Sequence, residues 1–428
     1  MVAEAGIVLI VILVALLISS TPIAVAMGLT SLAYVFLFTP LPLEQIPEKF
    51  ITALNSFPLM AIPFFVLTAN LMTKGGLGRR LIEATNALVG GLRGGLAVSM
   101  VVTCVFFASI SGSSPATVVA VGSLMIPAMI RHGYGKDFTV GLVATSGSLG
   151  ILIPPSITFV VYGIITGQSI SSLFLAGVIP GLLAAAAMIV LAVVVSIIRK
   201  YGAVDRLKMM PWRERLKAVR AAVLALGLPV LILGGIYAGI FSPTESAIVA
   251  AMYSAIVSLV IYRDISFKSL PNILLSSAKT SAMIMFIVAA GTLFSFVLTL
   301  ERIPTTIANN VLGGEMSPFL FLLVVNLLLL VAGLFMETTS AMLILVPILF
   351  PIAIGLGIDP IHFGVIVVLN LEIGMMTPPL GLNLFVASGL TGMSVLRVAK
   401  AALPSVGVML VILAIVTFVP QISLLLVN

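Results

Sequence analysis

A single cysteine and two histidines occur in 428 residues. With Cys104 alone no intramolecular disulfide framework can form, and with only His132 and His362 beside it no Cys/His metal cluster can be assembled. Charge is also scarce: Asp, Glu, Lys and Arg together make 8% of the chain, against about a quarter in soluble domains. A chain so poor in charge cannot cover a water-facing surface, which excludes a soluble enzyme. The net charge of +7 would ordinarily suggest a phosphate-binding surface. The basic residues fall instead in loops between apolar runs, where they set membrane orientation rather than read nucleic acid.

What is abundant is apolar. Hydrophobic residues make 61% of the sequence, and the mean hydropathy is +1.30. The clearest runs are 6–19, 23–38, 51–73, 173–198, 221–241, 247–262, 281–300 and 403–427. A spanning helix takes about 20 residues, so the length allows roughly a dozen spans. The start, MVAEAGIVLIVILVALLISSTP, is acidic before its apolar run and offers no small-residue cleavage site. It reads as a retained first span, not a signal peptide. An all-α polytopic membrane protein is expected.

Two blocks, 96–167 and 318–392, carry small-polar and proline interruptions where an ordinary span would be continuous. Irregular backbone at membrane depth is tolerated only when buried in protein or lining a watery cavity, so these blocks are the first place to look for function. They are copies. At an offset of 224, the separation of Pro127 and Pro351, Gly133 falls on Gly357 and Gly150 on Gly374. Pro154 and Pro155 fall on Pro378 and Pro379, and Pro180 on Pro404. TGQSI (166–170) recurs as TGMSV (391–395), one position out of register. Proline is costly inside helices, so this coincidence marks an internal duplication.

The loops of the two copies differ in charge. Lys74, Arg79, Arg80, Arg93, Arg131 and Lys136 make the first copy's loops basic, as do the many Lys and Arg residues of the connector 199–220. The matching loops of the second copy hold Glu301, Arg302, Glu315 and Asp359, whereas Arg397 and Lys400 stand where the first copy has only Ser and Leu. The positive-inside rule then places equivalent loops on opposite faces, leaving only Lys49 and Arg302 outside. Inverted-topology repeats are expected. The runs 96–110 and 116–130 are each about 15 residues, roughly 22 Å long, too short for a hydrocarbon core of about 30 Å. They read as a re-entrant hairpin with its tip at SGSSP (111–115). Its twin is 319–335 and 341–350, with tip METTS (336–340). Each hairpin precedes a helix broken at a proline pair, GILIPPS (150–156) and GMMTPPLGLN (374–383).

Two tips and two breaks bring four sets of free backbone groups toward mid-membrane. Half-helix carbonyls there attract cations, and half-helix N-termini attract anionic groups. Ser111, Ser113 and Ser114 add hydroxyl oxygens at the first tip, and Glu337, Thr338, Thr339 and Ser340 supply the second. Oxygen ligands suit a hard cation such as sodium. An acid at membrane depth is expensive and usually functional, which singles out Glu337 as a cation or proton ligand. Glu372 has either that role or a structural pairing with backbone or a neighbouring helix. Asn383 is a candidate contact for substrate or ion, or a helix–helix hydrogen bond. SGSSP lacks the lysine of a phosphate loop and the frame of a nucleophile elbow, so no enzyme is expected. His132 and His362 read as interfacial, and Trp212 as an interfacial anchor beside basic residues.

The ordered set SISGSSPATVVAVGSLMIPAM (109–129), GYGKDFTVGLVATSGSLGILIPPSI (133–157), METTSAMLILVPI (336–348) and GMMTPPLGLNLF (374–385) resembles the large membrane subunit of tripartite ATP-independent periplasmic (TRAP) transporters, the DctM-like family. The resemblance covers essentially the whole chain. It implies sodium-driven uptake of an organic acid, such as sialic acid or a C4-dicarboxylate, by an elevator fold of the ion-transporter-superfamily kind. It implies a bacterial inner-membrane location with the connector 199–220 cytoplasmic. It also implies two partners: a small four-helix membrane subunit, expected as a separate chain, and a soluble periplasmic substrate-binding protein. By motif, the first sodium site would use Ser111, Ser113, Gly150, Ile153 and Pro155. The second would use Glu337, Ser340, Gly374, Thr377 and Pro379. Substrate would lie between the tips near Ser114, Thr338 and Asn383. The expected divisions are scaffold spans 1–94, a first elevator half 95–198, the connector 199–220, further scaffold spans 221–316 and a second elevator half 317–428. The alternative is a stand-alone sodium-coupled carboxylate carrier or antiporter of the same superfamily.

Overall fold

The computed structural model describes all residues except 1, 20, 40, 43, 90, 92, 93, 203–210, 314, 315, 379, 380 and 428. Arg93, Glu315, Pro379 and positions 203–210 of the connector therefore lie outside the described residues. Among the described residues every regular element is helical. Among the described residues, nine helices or joined helical stretches are long and apolar enough to cross a membrane, from Phe57–Lys74 to Val395–Phe418.

The first helices are α1 (Val2–Ile18), α2 (Ile23–Phe38), the amphipathic α3 (Gln45–Leu54), α4 (Ala61–Lys74) and α5 (Leu77–Val89). The first copy follows: α6 (Gly95–Ser111), α7 (Ser114–Arg131), α8 (Lys136–Ser146), α9 (Ile157–Thr166) and α10 (Ile170–Ile198). Next come α11 (Trp212–Tyr237), α12 (Pro243–Ile256), α13 (Leu270–Leu300) and α14 (Ile303–Gly313). The second copy is α15 (Pro318–Phe335), α16 (Thr338–Gly355), α17 (Pro360–Met375), α18 (Leu382–Thr391) and α19 (Val395–Phe418), before a final turn α20 (Gln421–Leu424). Side chains start these helices where the sequence supplies an oxygen. Ser169 accepts from the Ser172 N–H, and Asp359 accepts from Ile361 and His362. Ser242 and Glu245 form a reciprocal capping box at α12. Gly167 and Gly392, with φ of 69° and 66°, end α9 and α18 in the left-handed region, where a side chain would be strained. That requirement explains why the TG-x-S turn occurs in both copies.

The inversion is visible in contacts between loops. Arg397 at the start of α19 donates to Asp137 at the start of α8, 2.8 Å apart, and Lys136 donates to the Thr391 carbonyl at 3.1 Å. Tyr201, just beyond α10, packs against Tyr134 with ring centroids 5.7 Å apart. At the other end Tyr162 of α9 donates to the Pro360 carbonyl that opens α17, at 2.8 Å. The first broken helix therefore starts where the second ends, and the second starts where the first ends. The two copies run antiparallel, and the loops holding Lys136, Tyr201 and Arg397 share one face.

The hairpin arms are longer than the apolar runs suggest: α7, α15 and α16 have 18 residues each and α6 has 17. Polar tip residues continue the helices, so arm length alone does not set the hairpins apart from spans. Their tips do, because both are bonded inside the molecule to one residue, Glu372. Outward, α10, α11 and α15 expose large apolar side chains such as Val190, Val230 and Leu327, as lipid-facing helices do.

Candidate functional site

The tips are built alike. Ser113 stands at the N-cap of α7 and accepts from the Ala116 N–H. Glu337, 224 positions on, stands at the N-cap of α16 and accepts from the Ser340 N–H at 3.2 Å. The helix N-terminus and a further bond from the Thr339 hydroxyl, 3.0 Å, stabilise the Glu337 carboxylate. At the first tip the Ser113 carbonyl accepts from Thr117 at 2.9 Å and from Ser111 at 3.2 Å. These bonds fold the loop into an oxygen-rich turn.

Each break lies against the last turn of its own hairpin's first arm. A Cβ on Gly150 would overlap Ala108 and the Ser109 backbone of α6. A Cβ on Gly374 would come within 2.6 Å of the Gly333 Cα of α15. Gly333 and Ser109 are themselves 224 apart, so the two close approaches are one device used twice. Ile153 donates to the Gly150 carbonyl and Thr377 to the Gly374 carbonyl, at 3.1 and 3.0 Å. The structure thus sets Gly150 against the turn of α6 that leads into the first tip, and Gly374 against the turn of α15 that leads into the second. Pro155 is buried beside a cis Pro154–Pro155 bond, while Pro379 is not described.

Between the tips lies Glu372, 1% exposed near the end of α17. The Ser114 hydroxyl donates to its Oε2 at 2.7 Å, and the Thr338 hydroxyl donates to its Oε1 at 2.8 Å. Ser114 and Thr338 occupy equivalent positions of the two copies. The structural pairing open to Glu372 in the sequence is present, with side chains of the neighbouring helices α7 and α16 and not with backbone.

A cavity of about 350 Å³ opens beside this junction. Ser111 to Ala116 and Glu337, Thr339, Ser340 and Glu372 form its tip side. Its far wall is α4 and α13, with Asn70, Thr73 and Thr280 as the polar groups. Asn70 also donates to Ser277 at 2.9 Å, tying those two helices together. The cavity's described lining includes two carboxylates and no Lys, Arg or His. Ser114 reaches it. Thr338 stands behind it on Glu372, and Asn383 is fully buried, donating to Ser148 at 2.8 Å and not reaching the cavity. The far-wall residues Asn70, Thr73 and Thr280 were not foreseen, although Asn70 and Thr73 stand three apart on α4 and Thr280 lies in the polar stretch SSAKTS (276–281) of α13.

An inverted pair of hairpins meeting at one cavity that carries two carboxylates is an arrangement suited to carrying a solute. Residues 10–422 match the family described as the DctM component of the tripartite ATP-independent periplasmic transporter. The chain belongs to that family. Among its DctM relatives is the Pseudomonas aeruginosa C4-dicarboxylate TRAP transporter large permease protein DctM. It is 50% identical over 94% of both chains. The Rhodobacter capsulatus protein of the same description is 45% identical over 97% of both. The Vibrio cholerae sialic acid TRAP transporter large permease protein SiaM is 35% identical over 96% of both. The solved Alcanivorax borkumensis YdaH transporter, described as having an unusual topology, aligns with a TM-score of 0.61 at 14% identity. That alignment covers 90% of this chain and 88% of the other and shows the fold alone.

Proposed function

We propose that this chain is the permease of a sodium-driven organic-acid uptake system in a bacterial inner membrane, with a C4-dicarboxylate as the substrate class. One observation carries the reading: among the described residues, the cavity beside the tips is lined by Glu337 and Glu372 and by no basic side chain. An anion cannot enter such a site at low dielectric unless cations enter with it. The oxygen-rich turns at Ser111–Ser113 and Glu337–Ser340, each beside its glycine break, suit two sodium ions. In this reading sodium neutralises Glu337 and orders both tips, and the α7 and α16 N-termini then receive carboxylate groups. Thr73, Asn70 and Thr280 offer the fixed wall against which the tip domain moves. The 45–50% identical relatives named for C4-dicarboxylates favour that class over a sugar acid.

The basic face holding Lys136, Tyr201 and Arg397 is the cytoplasmic one in this proposal. A small membrane subunit and a periplasmic binding protein complete the machine, as the tripartite family implies. The test is uptake of labelled succinate or malate into proteoliposomes holding this chain and its membrane partner. Each run is made with and without the binding protein, under a sodium or a potassium gradient. Uptake needing both sodium and the soluble protein supports the proposal. Sodium-driven uptake without the soluble protein assigns the chain to the stand-alone carriers instead, and sodium-independent uptake overturns the coupling.

A further inference from the structure

Among the described residues, Glu372 is the side chain hydrogen-bonded to both tips. Its two oxygens are used separately, Oε2 by Ser114 of the first tip and Oε1 by Thr338 of the second, at 2.7 and 2.8 Å. These donors are equivalent residues of the two copies, so the carboxylate sits where the inverted repeats face one another. Its own equivalent in the first copy is Ser148, a buried hydroxyl that receives the Asn383 amide instead. One bidentate acceptor at the junction serves both copies, and a second would meet it head-on. Among the described residues no salt bridge reaches Glu372, so hydroxyl donors are what hold it, those of Ser114 and Thr338 foremost.

We propose that Glu372 is a positioning residue that couples the two tips, so that ordering one tip by its ion lowers the cost of ordering the other. The proposal rests on the sodium reading above. Each tip is a short loop between helix ends, and fixing it costs conformational entropy. When both loops are anchored to one side chain that is itself fixed in α17, part of that cost is shared. Two ligands that order the same element bind with positive coupling, without any direct contact between them. Hydrogen-bond acceptance, not charge, is the property required. A glutamine in the same place offers one oxygen to one hydroxyl and an amide N–H₂ to the other, which turns to accept it.

Sodium titrations of uptake in the complete proteoliposome system test this. The unmodified protein is expected to show a Hill coefficient clearly above 1. In Glu372→Ala it falls to about 1, and half-activating sodium rises about five-fold or more. Glu372→Gln restores most of the cooperativity, as a role in charge or ion binding would not allow. Ser114→Ala and Thr338→Val each remove one anchor and are expected to reproduce the loss. Sodium-dependent thermal shifts of the purified permease complex read the same cooperativity without transport, which keeps the test decisive if Glu372→Ala is inactive. Unchanged cooperativity in Glu372→Ala overturns the inference, as does a Glu372→Gln variant indistinguishable from Glu372→Ala. Absence of any sodium response in the unmodified protein overturns the sodium reading and this inference together, which separates the two failures.

Discussion

Ser113 and Glu337 perform the same backbone task with unlike chemistry: each caps the first turn of the second arm of its hairpin, 224 residues apart. The hydroxyl is neutral and accepts one weak bond of 3.4 Å, whereas the carboxylate accepts two and faces the cavity. The duplicated frame is thus kept while the two turns are made unequal in charge.

That inequality predicts unequal consequences of mutation. Glu337→Gln is expected to raise half-saturating sodium for uptake about ten-fold or more, because a charge-assisted contact is lost at low dielectric. Ser113→Ala is expected to shift it by a smaller factor. Sodium titration of uptake in proteoliposomes compares the two, and equal shifts would contradict the asymmetry.

Gly150 and Gly374 are expected to tolerate no methyl. Alanine at either meets backbone of the hairpin arm, at a cost of about 1–3 kcal/mol in stability. Gly407 in α19 has open space where a Cβ would go, and Gly407→Ala is expected to be neutral or stabilising by up to about 1 kcal/mol. Thermal unfolding of the three purified variants shows the contrast.

Asn383 is expected to act through packing. Its amide is fully buried and bonded to Ser148, and it lies off the cavity. Asn383→Ala should lower stability by about 1–3 kcal/mol and leave the apparent KM for substrate within about two-fold. A KM shift of ten-fold with unchanged stability would place it on the substrate instead.

The antiparallel copies predict a labelling pattern. In a background with Cys104 replaced by alanine, cysteines at Arg131 and Arg397 should react with an impermeant thiol reagent from one side of the membrane. A cysteine at Glu301 should react from the other. Labelling of 131 and 397 from opposite sides would contradict the contact between Arg397 and Asp137.

Much of this frame can be read from residues that resist substitution by ordinary chemistry. The prolines and glycines at offset 224 betray the duplication because each marks a place where the backbone is special. Charge asymmetry in the loops betrays the inversion, and the structure shows it in the Lys136–Thr391 and Tyr162–Pro360 contacts. Arm lengths are less legible. Hydropathy stops at Ser114 and Pro115, yet those residues already belong to α7. The junction at Glu372 is hidden for a different reason. Its partner Ser114 is 258 residues away, and a hydroxyl–carboxylate bond leaves no local pattern. The wall at Asn70, Thr73 and Thr280 is hidden for the same reason, since 207 residues separate Asn70 from the Ser277 that ties its two helices together.

The absence of any basic side chain among the cavity's described lining also bears on leakage. A site furnished with a lysine or arginine would hold an anion on its own and let it slip through with nothing else moving. With Glu337 and Glu372 in the described lining and no basic group beside them, the proposed coupling predicts that a lone anion is excluded by charge rather than by a gate. Tightness here is a property of what the wall leaves out.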